Sequence, residues 1–337
     1  MSRRALITGG AGFLGFHLAK TLAVQEIQVT VVDNWFRTQR PDQGFTDLCA
    51  SQNVRFIQMD VTDQEAWDRL EGPYDEIYHF AAVNGTRYFY DIPHEVLRIN
   101  LLGVLHLVRW LGQRPFGGKV LFASSSEIYA GLEQVAAVPI PTPETVPSAF
   151  ADVANPRISY GVSKLAGELC LRHCGRANGW RWVIVRYHNV YGPRMGREHV
   201  IPTLCGRLLR REDPVVLFGA SNRRAFCYID DAITATRLVM ESPRTDGEVI
   251  NIGDDREELS IEALAKRLIR HAGYQPRIEV SDAPEGSAVR RCPDVSKLHR
   301  LTGFAPHVGL DEGLGITYEW YSHNAVREPL MTDRIVR

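Results

Sequence analysis

This sequence predicts an α/β fold, a doubly wound parallel sheet followed by a smaller mixed α/β part, and three observations carry the prediction. Short β-branched or apolar runs alternate with helix-period segments through the first half. A glycine-rich turn, TGGAGFLG at residues 8–15, joins the first such run to the first such segment. After RWVIVRYHNVYGP (181–193) the composition shifts towards Arg, Pro and Gly. Strands linked through helices run parallel and are covered on both faces. A phosphate-cradling turn at the first crossover makes the arrangement Rossmann-type.

The elements follow in order. RALIT (4–8) predicts the first strand and FLGFHLAKTLAVQ (13–25) the first helix; QVTVVD (28–33), VRFIQMD (54–60) and EIYHFAA (76–82) predict the next three strands. HEVLRINLLGVLHLVRWL (94–111) reads as a long helix that is apolar on most sides, which calls for more cover than one sheet face supplies, such as an oligomer interface. KVLFASS (119–125) ends the series before a proline-rich loop, VPIPTPETVP (138–147). SYGVSKLAGELCLRHCG (159–175) is then a helix with Leu165 and Leu169 on one stripe. Residues 1–180 are expected to form the dinucleotide-binding domain, with a return segment near 225–250. Residues 181–337 are expected to be mainly substrate-binding, with helices around 201–210 and 260–273 and a last one after Pro306.

With 337 residues, 45% of them hydrophobic, the chain can bury a large core without covalent staples. Its 39 basic and 40 acidic side chains balance, which argues against nucleic-acid or membrane-surface partners. Six scattered cysteines form no CxxC pair and read as small core residues rather than metal ligands. No apolar run approaches the ~18 residues of a membrane span, and MSRRALITGG starts a strand rather than a signal peptide. A cytoplasmic setting is the expectation.

The candidate cofactor end lies at the glycine turn. Gly9 permits a tight turn, Gly12 lets backbone approach a pyrophosphate, and Gly15 allows close packing of helix on strand. Asp33 ends the second strand, where a carboxylate accepts hydrogen bonds from a ribose and repels a ribose phosphate. That favours NAD over NADP, although nearby Arg37 softens the preference. Asp60 and Val61 end the next strand at the same edge, and Ala81 and Ala82 are small enough for a cofactor to lie against.

The candidate chemical end lies further on. Tyr160 and Lys164 are four apart on one helical face, and an ammonium beside a phenol favours phenolate, a base near neutral pH. Ser124, Ser125, Ser126 and Glu127 follow a predicted strand.

The glycine turn, the serine cluster and YxxxK, in this order, resemble the extended short-chain dehydrogenase/reductase family, specifically its nucleotide-sugar epimerases and dehydratases. HFAA (79–82), Asn100 in RINLLG, RYHNVYGPR (186–194), RRAFCYIDD (223–231), NIG (251–253) and RRCPDVSK (290–297) extend the resemblance over nearly the whole chain. It implies a tightly held NAD on Gly9, Gly12 and Gly15, with Phe13, Leu14, Asn34, Asn100 and Tyr187 completing the cofactor contacts. It also implies Ser125, Tyr160 and Lys164 as the catalytic set, and Asn189, Arg224 and Arg291 at a nucleotide-diphosphate sugar. Family members commonly pair the helices near 95–111 and 160–176 into a homodimer, and that is expected here.

The sequence also departs from the family pattern. An arginine often found before the last motif is missing from APEGSAV (283–289), and Ala130 replaces the usual glycine after EIY. NGTRYFYDIP (84–93) is unusual, and Arg87, Tyr88 and Tyr90 fall where a loop approaches the sugar. Ser126 is expected beside the substrate, and Glu127 stands where some members place a second acid or base. The resulting order of reactions is 4-epimerase first, then uronate decarboxylase, then 4,6-dehydratase, with Glu127 as a turn anchor the structural alternative. A non-catalytic NAD-binding protein is the reading from another class.

Overall fold

The computed structural model describes residues 2–37, 41–132, 136–150, 152–284 and 286–324. The first half runs β1 (Arg4–Thr8), α1 (Phe13–Val24), β2 (Gln28–Asp33), α2 (Gln43–Cys49), β3 (Val54–Gln58), α3 (Gln64–Asp68), β4 (Glu76–His79), α4 (Thr86–Asp91), α5 (Pro93–Gly112) and β5 (Lys119–Ser125). Then come α6 (Ile158–Asn178), β6 (Arg181–Tyr187), β7 (Val190–Tyr191), α7 (Val200–Leu209), β8 (Val215–Phe218), β9 (Arg223–Ala225), β10 (Cys227–Tyr228) and α8 (Ile229–Glu241). The chain continues through β11 (Glu248–Ile252), β12 (Glu258–Ser260), α9 (Ile261–Ala272), β13 (Ile278–Ser281), β14 (Arg290–Arg291), α10 (Ser296–Thr302) and α11 (Leu310–Asn324).

Seven of these strands form one sheet in the order β11-β6-β5-β4-β1-β2-β3, every neighbouring pair parallel. Strand residues alternate between its faces. Ile7, Val31, Leu121 and Val183 join a core that includes Leu18 and Leu22 of α1 and Ala232 and Val239 of α8. Leu6, Val32, Val120 and Ile184 join the opposite core with Trp67 of α3 and Val104, Leu107 and Leu111 of α5. Burial on both faces explains why these strands read as continuous apolar runs. The strand order reverses between β1 and β4, and such a switch point opens a crevice at the carboxyl ends of the strands.

The boundary expected at residue 180 falls one residue before β6, and β6 lies inside the large sheet between β5 and β11. The chain therefore re-enters that sheet at 181–187 as well as through β11. The segments between and after carry the smaller sheets; β9 lies between β12 and β14, which brings Arg291 level with Arg224. Leu165 packs near Ile128, Tyr129 and Val146, whereas Leu105 of α5 (45% exposed) and Leu169 of α6 (48%) face outward. Among the described residues, no helix is long and apolar enough to cross a membrane, and no cluster of His, Cys, Asp or Glu is arranged to hold a metal.

Candidate active site

A cavity of about 320 Å³ opens along the carboxyl ends of the strands, from Asp33 past the glycine turn to Tyr160 and Arg291. At its first end, α1 begins at Gly12 without a side-chain cap, so its first backbone N–H groups are left for an anion. Gly9 has φ +69°, and a Cβ there would sit 2.6 Å from Ala81 N. A Cβ on Gly12 would meet only the Gly9 carbonyl oxygen, at 3.1 Å, and Gly12 lines the cavity. The turn is thus shaped for a group lying where a side chain would otherwise be. A Cβ on Gly15 would collide with the Gly9 carbonyl and approach Gly10 Cα to 2.6 Å. Gly15→Ala is expected to weaken NAD binding about tenfold to a hundredfold through displacement of this backbone, read by NAD titration calorimetry.

Asp33 accepts hydrogen bonds from Ala11 N (3.1 Å) and Trp35 N (2.9 Å) at the cavity edge. Burial raises its pKa, and these backbone donors work against the rise. Phe13, Leu14, Asn34, Val61, Ala81 and Ala82 also line the cavity. Asp60 lies outside the lining and accepts from Asn34 Nδ2 (3.0 Å) and from Thr62, so it braces the loop. Asn100 is likewise a brace: its Oδ1 accepts from Val83 N (2.8 Å) and its Nδ2 donates to Ser163 Oγ (3.0 Å). Ser163 Oγ in turn donates to the Tyr160 carbonyl (2.7 Å), which ties the Ala81–Val83 loop to α6.

At the other end, β5 delivers the serine cluster and α6 delivers Tyr160 and Lys164. Ser125 caps a short 3-10 turn, Ser126–Tyr129, by accepting from Glu127 N, and its hydroxyl lies near enough to Tyr160 to favour the phenolate. Burial pushes the Tyr160 phenol up; the Ser125 hydrogen bond and the charge of Arg37 counter part of that rise. Lys164 Nζ donates to Ala123 O (2.7 Å) and lies 5.6 Å from the Tyr160 ring centroid. Its own pKa falls to about 7 through burial, so near neutrality it carries only part of its charge. In the protein itself, burial rather than Lys164 sets the proton affinity of the phenol.

Behind the cluster, Ser124 donates to Glu168 (2.5 Å), which holds Arg186 through two hydrogen bonds of 2.9 and 2.8 Å. Ser126 and Tyr187, the latter bonded to Thr236 Oγ1 (2.8 Å), are buried and line the cavity, as does half-buried Asn189, which donates to Ala225 O (2.9 Å).

Glu127 lines the cavity with its carboxylate between two guanidiniums, Arg291 (2.9 Å) and Arg157 (3.3 Å). Burial alone would raise its pKa, but the charges of Arg291 and Arg157 and the Arg291 hydrogen bond outweigh that and hold it at about 2. It is therefore a carboxylate throughout the physiological range. Arg224 lies outside the lining and donates to the carbonyls of Arg223, Ala288 and Val289. Arg87 and Tyr88 also lie outside it: Arg87 is ion-paired with Asp91 (3.0 Å), and the Tyr88 ring sits 5.9 Å from that of Phe36.

Several lining residues have no signal of their own in the sequence, among them Phe36 and His199. His199 precedes α7 and is so buried that its pKa falls to about 4, which leaves it neutral. Over the cavity, the loop before α7 reaches the loop after β2: Arg37 pairs with Glu198 (3.6 Å), Arg194 pairs with Asp42, and Arg194 lies 3.8 Å above the Phe16 ring.

Comparison with known proteins agrees with this geometry. The model of the NAD dependent epimerase/dehydratase family matches residues 5–253. The UDP-N-acetyl-alpha-D-glucosaminuronate decarboxylase of Bacillus cytotoxicus is 31% identical over 333 residues, covering 95% of this chain and 98% of that protein. The UDP-glucose 4-epimerase of Thermotoga maritima, solved with UDP-glucose, superposes with a TM-score of 0.83 at 29% identity, covering 96% of this chain and 99% of that one. The UDP-glucuronic acid 4-epimerase of Bacillus cereus, solved with UDP-glucuronic acid and NAD, gives 0.83 at 25% identity over 95% and 99%. With the glycine cradle, Asp33 and the Ser125–Tyr160 pair on one strand-end crevice, and a family match across most of the chain, this protein belongs to the NAD-dependent epimerase/dehydratase family.

Proposed function

We propose that the chain is a nucleotide-sugar 4-epimerase that works through a transient 4-keto sugar. The observation that carries this reading is the state of Glu127. A carboxylate fixed as an anion between Arg157 and Arg291 does not supply a proton, which leaves the Tyr160 hydroxyl, with Ser125 beside it, as the one proton-transfer group. One such group is what hydride removal and return at C4 requires; elimination of water needs a further acid.

NAD supplies the hydride acceptor and donor. Tyr160 takes the proton of the C4 hydroxyl as C4 is oxidised and gives it back as C4 is reduced, while the Ser125 hydroxyl donates a hydrogen bond to the C4 oxygen. Lys164, held by the Ala123 carbonyl one helical turn from Tyr160, stands ready to contact the cofactor at this end of the cavity. Arg291 offers a fork of donors suited to a diphosphate oxygen, and Ser126 and Asn189 line the sugar end. Protein and product both return to their starting oxidation state, so catalysis needs no added NAD.

Decarboxylation of a nucleotide-linked uronate is the second reading. It draws on the Bacillus cytotoxicus relative and on the adjacent Ser126 and Glu127. A C4 ketone also places a carboxylate at C5 in position to leave as carbon dioxide.

The test is the as-purified protein in deuterated buffer without added NAD, on a panel of nucleotide sugars that includes uronates, followed by chromatography and mass spectrometry. An isobaric product without deuterium supports epimerisation; loss of carbon dioxide with deuterium gained at C5 overturns it in favour of the second reading. We further propose a cytoplasmic homodimer, supported by the outward leucines of α5 and α6 and by six unpaired cysteines. A monomeric mass by light scattering would refute the dimer.

A further inference from the structure

Phe89 has no part in the chemistry assigned so far, yet it touches the group at its centre. It lies in α4, 3% exposed, and its ring stacks on that of Tyr160 with centroids 5.0 Å apart and planes at 20°. Val83 and Val96 are buried in the same cluster and Ile99 packs against it, so the far side of the phenol ring is apolar. Gly85, at φ +141°, lets the backbone turn into α4, and Pro93 starts α5 immediately after it. A short helix held at both ends thus presents one ring to another.

We propose that Phe89 is a positioning residue for Tyr160: the stacked ring holds the phenol in one orientation and keeps water from that side, so that its hydroxyl stays directed at the Ser125 end of the cavity. The inference rests on the reading of Tyr160 as the proton-accepting group. The terminal torsion of a tyrosine is broad when nothing packs on the ring, and a neighbouring aromatic plane narrows it. Dryness on the same side adds to the burial that raises the proton affinity of the phenol.

The polar groups that face Tyr160 come from elsewhere. Ser125 and Glu127 reach it from the end of β5 and the following turn, Arg37 from the loop after β2, and Lys164 from one helical turn on. The charges carried by α4 and α5 at this level, Arg87 with Asp91 and Glu95 with Arg98, pair with each other at the surface. Phe89 therefore acts on the phenol through packing and water exclusion.

The test compares Phe89→Leu and Phe89→Tyr with the wild type in NAD content, thermal unfolding, kcat, KM and the pH profile of kcat. Leucine keeps apolar volume, so the fold survives, but it lacks a plane. Phe89→Leu is expected to lower kcat about tenfold with KM within about twofold. Water admitted beside the phenol lowers its proton affinity, so the acid limb moves to lower pH by several tenths of a unit. Phe89→Tyr restores a ring and should hold kcat within about threefold of wild type.

The proposal is overturned if Phe89→Leu keeps the wild-type kcat and acid limb. It is also overturned if its activity falls only in proportion to the folded fraction while the limb stays in place. A fully active Tyr160→Phe would instead defeat the reading of Tyr160. An inactive Tyr160→Phe beside a wild-type-like Phe89→Leu would defeat the stacking proposal alone.

Discussion

Tyr160→Phe is expected to lower kcat about a thousandfold or more while leaving NAD bound and KM nearly unchanged. The substitution removes one oxygen and keeps the ring, so the stack with Phe89 and the packing of α6 persist. What disappears is the hydroxyl proposed to accept the C4 proton. Wild-type activity should fall towards acid pH, because a phenol whose proton affinity is raised by burial must lose that proton before it can accept another. The measurements are kcat across pH and NAD released on denaturation. A variant that turns over at even a tenth of the wild-type rate would remove Tyr160 from the mechanism.

Glu127→Ala is expected to destabilise the protein by about 2 to 4 kcal/mol and to reduce activity at least tenfold, because it removes the carboxylate that separates two largely enclosed guanidiniums. Arg157 and Arg291 both face the vacated site, with side chains 14% and 10% exposed. Glu127→Gln keeps an acceptor for one of them and should retain more of both stability and activity. If Glu127 instead transferred protons, the amide would be as inactive as the alanine, and that result would revive proton chemistry beyond hydride transfer.

The pH dependence has a definite sign. The folded pKa of about 2 lies below the unfolded value, so this carboxylate stabilises the fold fully above roughly pH 4.5. The contribution is lost as pH falls from there towards about 2. Acid titration of Glu127→Gln, followed by circular dichroism, should therefore show a weaker pH dependence than the wild type over that window.

Much of the scaffold was legible because its signals are local. The glycine turn, the strand ending at Asp33 and the Tyr160–Lys164 spacing each depend on a few neighbouring residues, and the structure brings all of them to one cavity. The unusual stretch at 84–93 shows where such reading stops. Its polarity drew attention to Arg87 and Tyr88, but the phase of α4 turns Phe89 inward onto Tyr160 and leaves Arg87 half in solvent. No sequence spacing reports that phase for a helix of six residues entered through a glycine. Glu127 was visible as a carboxylate at the right place, yet its charge state is set by Arg291, which a different sheet delivers.

That last contact spans 164 residues of chain. The large sheet is finished when β11 adds to β6, but the turn at Ser126–Tyr129 gains its second guanidinium only when β14 arrives. Contacts closed over so long a stretch form late, because the chain entropy of closing the loop must be met before the contact stabilises anything. The turn at residues 126–129 is therefore expected to gain hydrogen-exchange protection after β1 to β5.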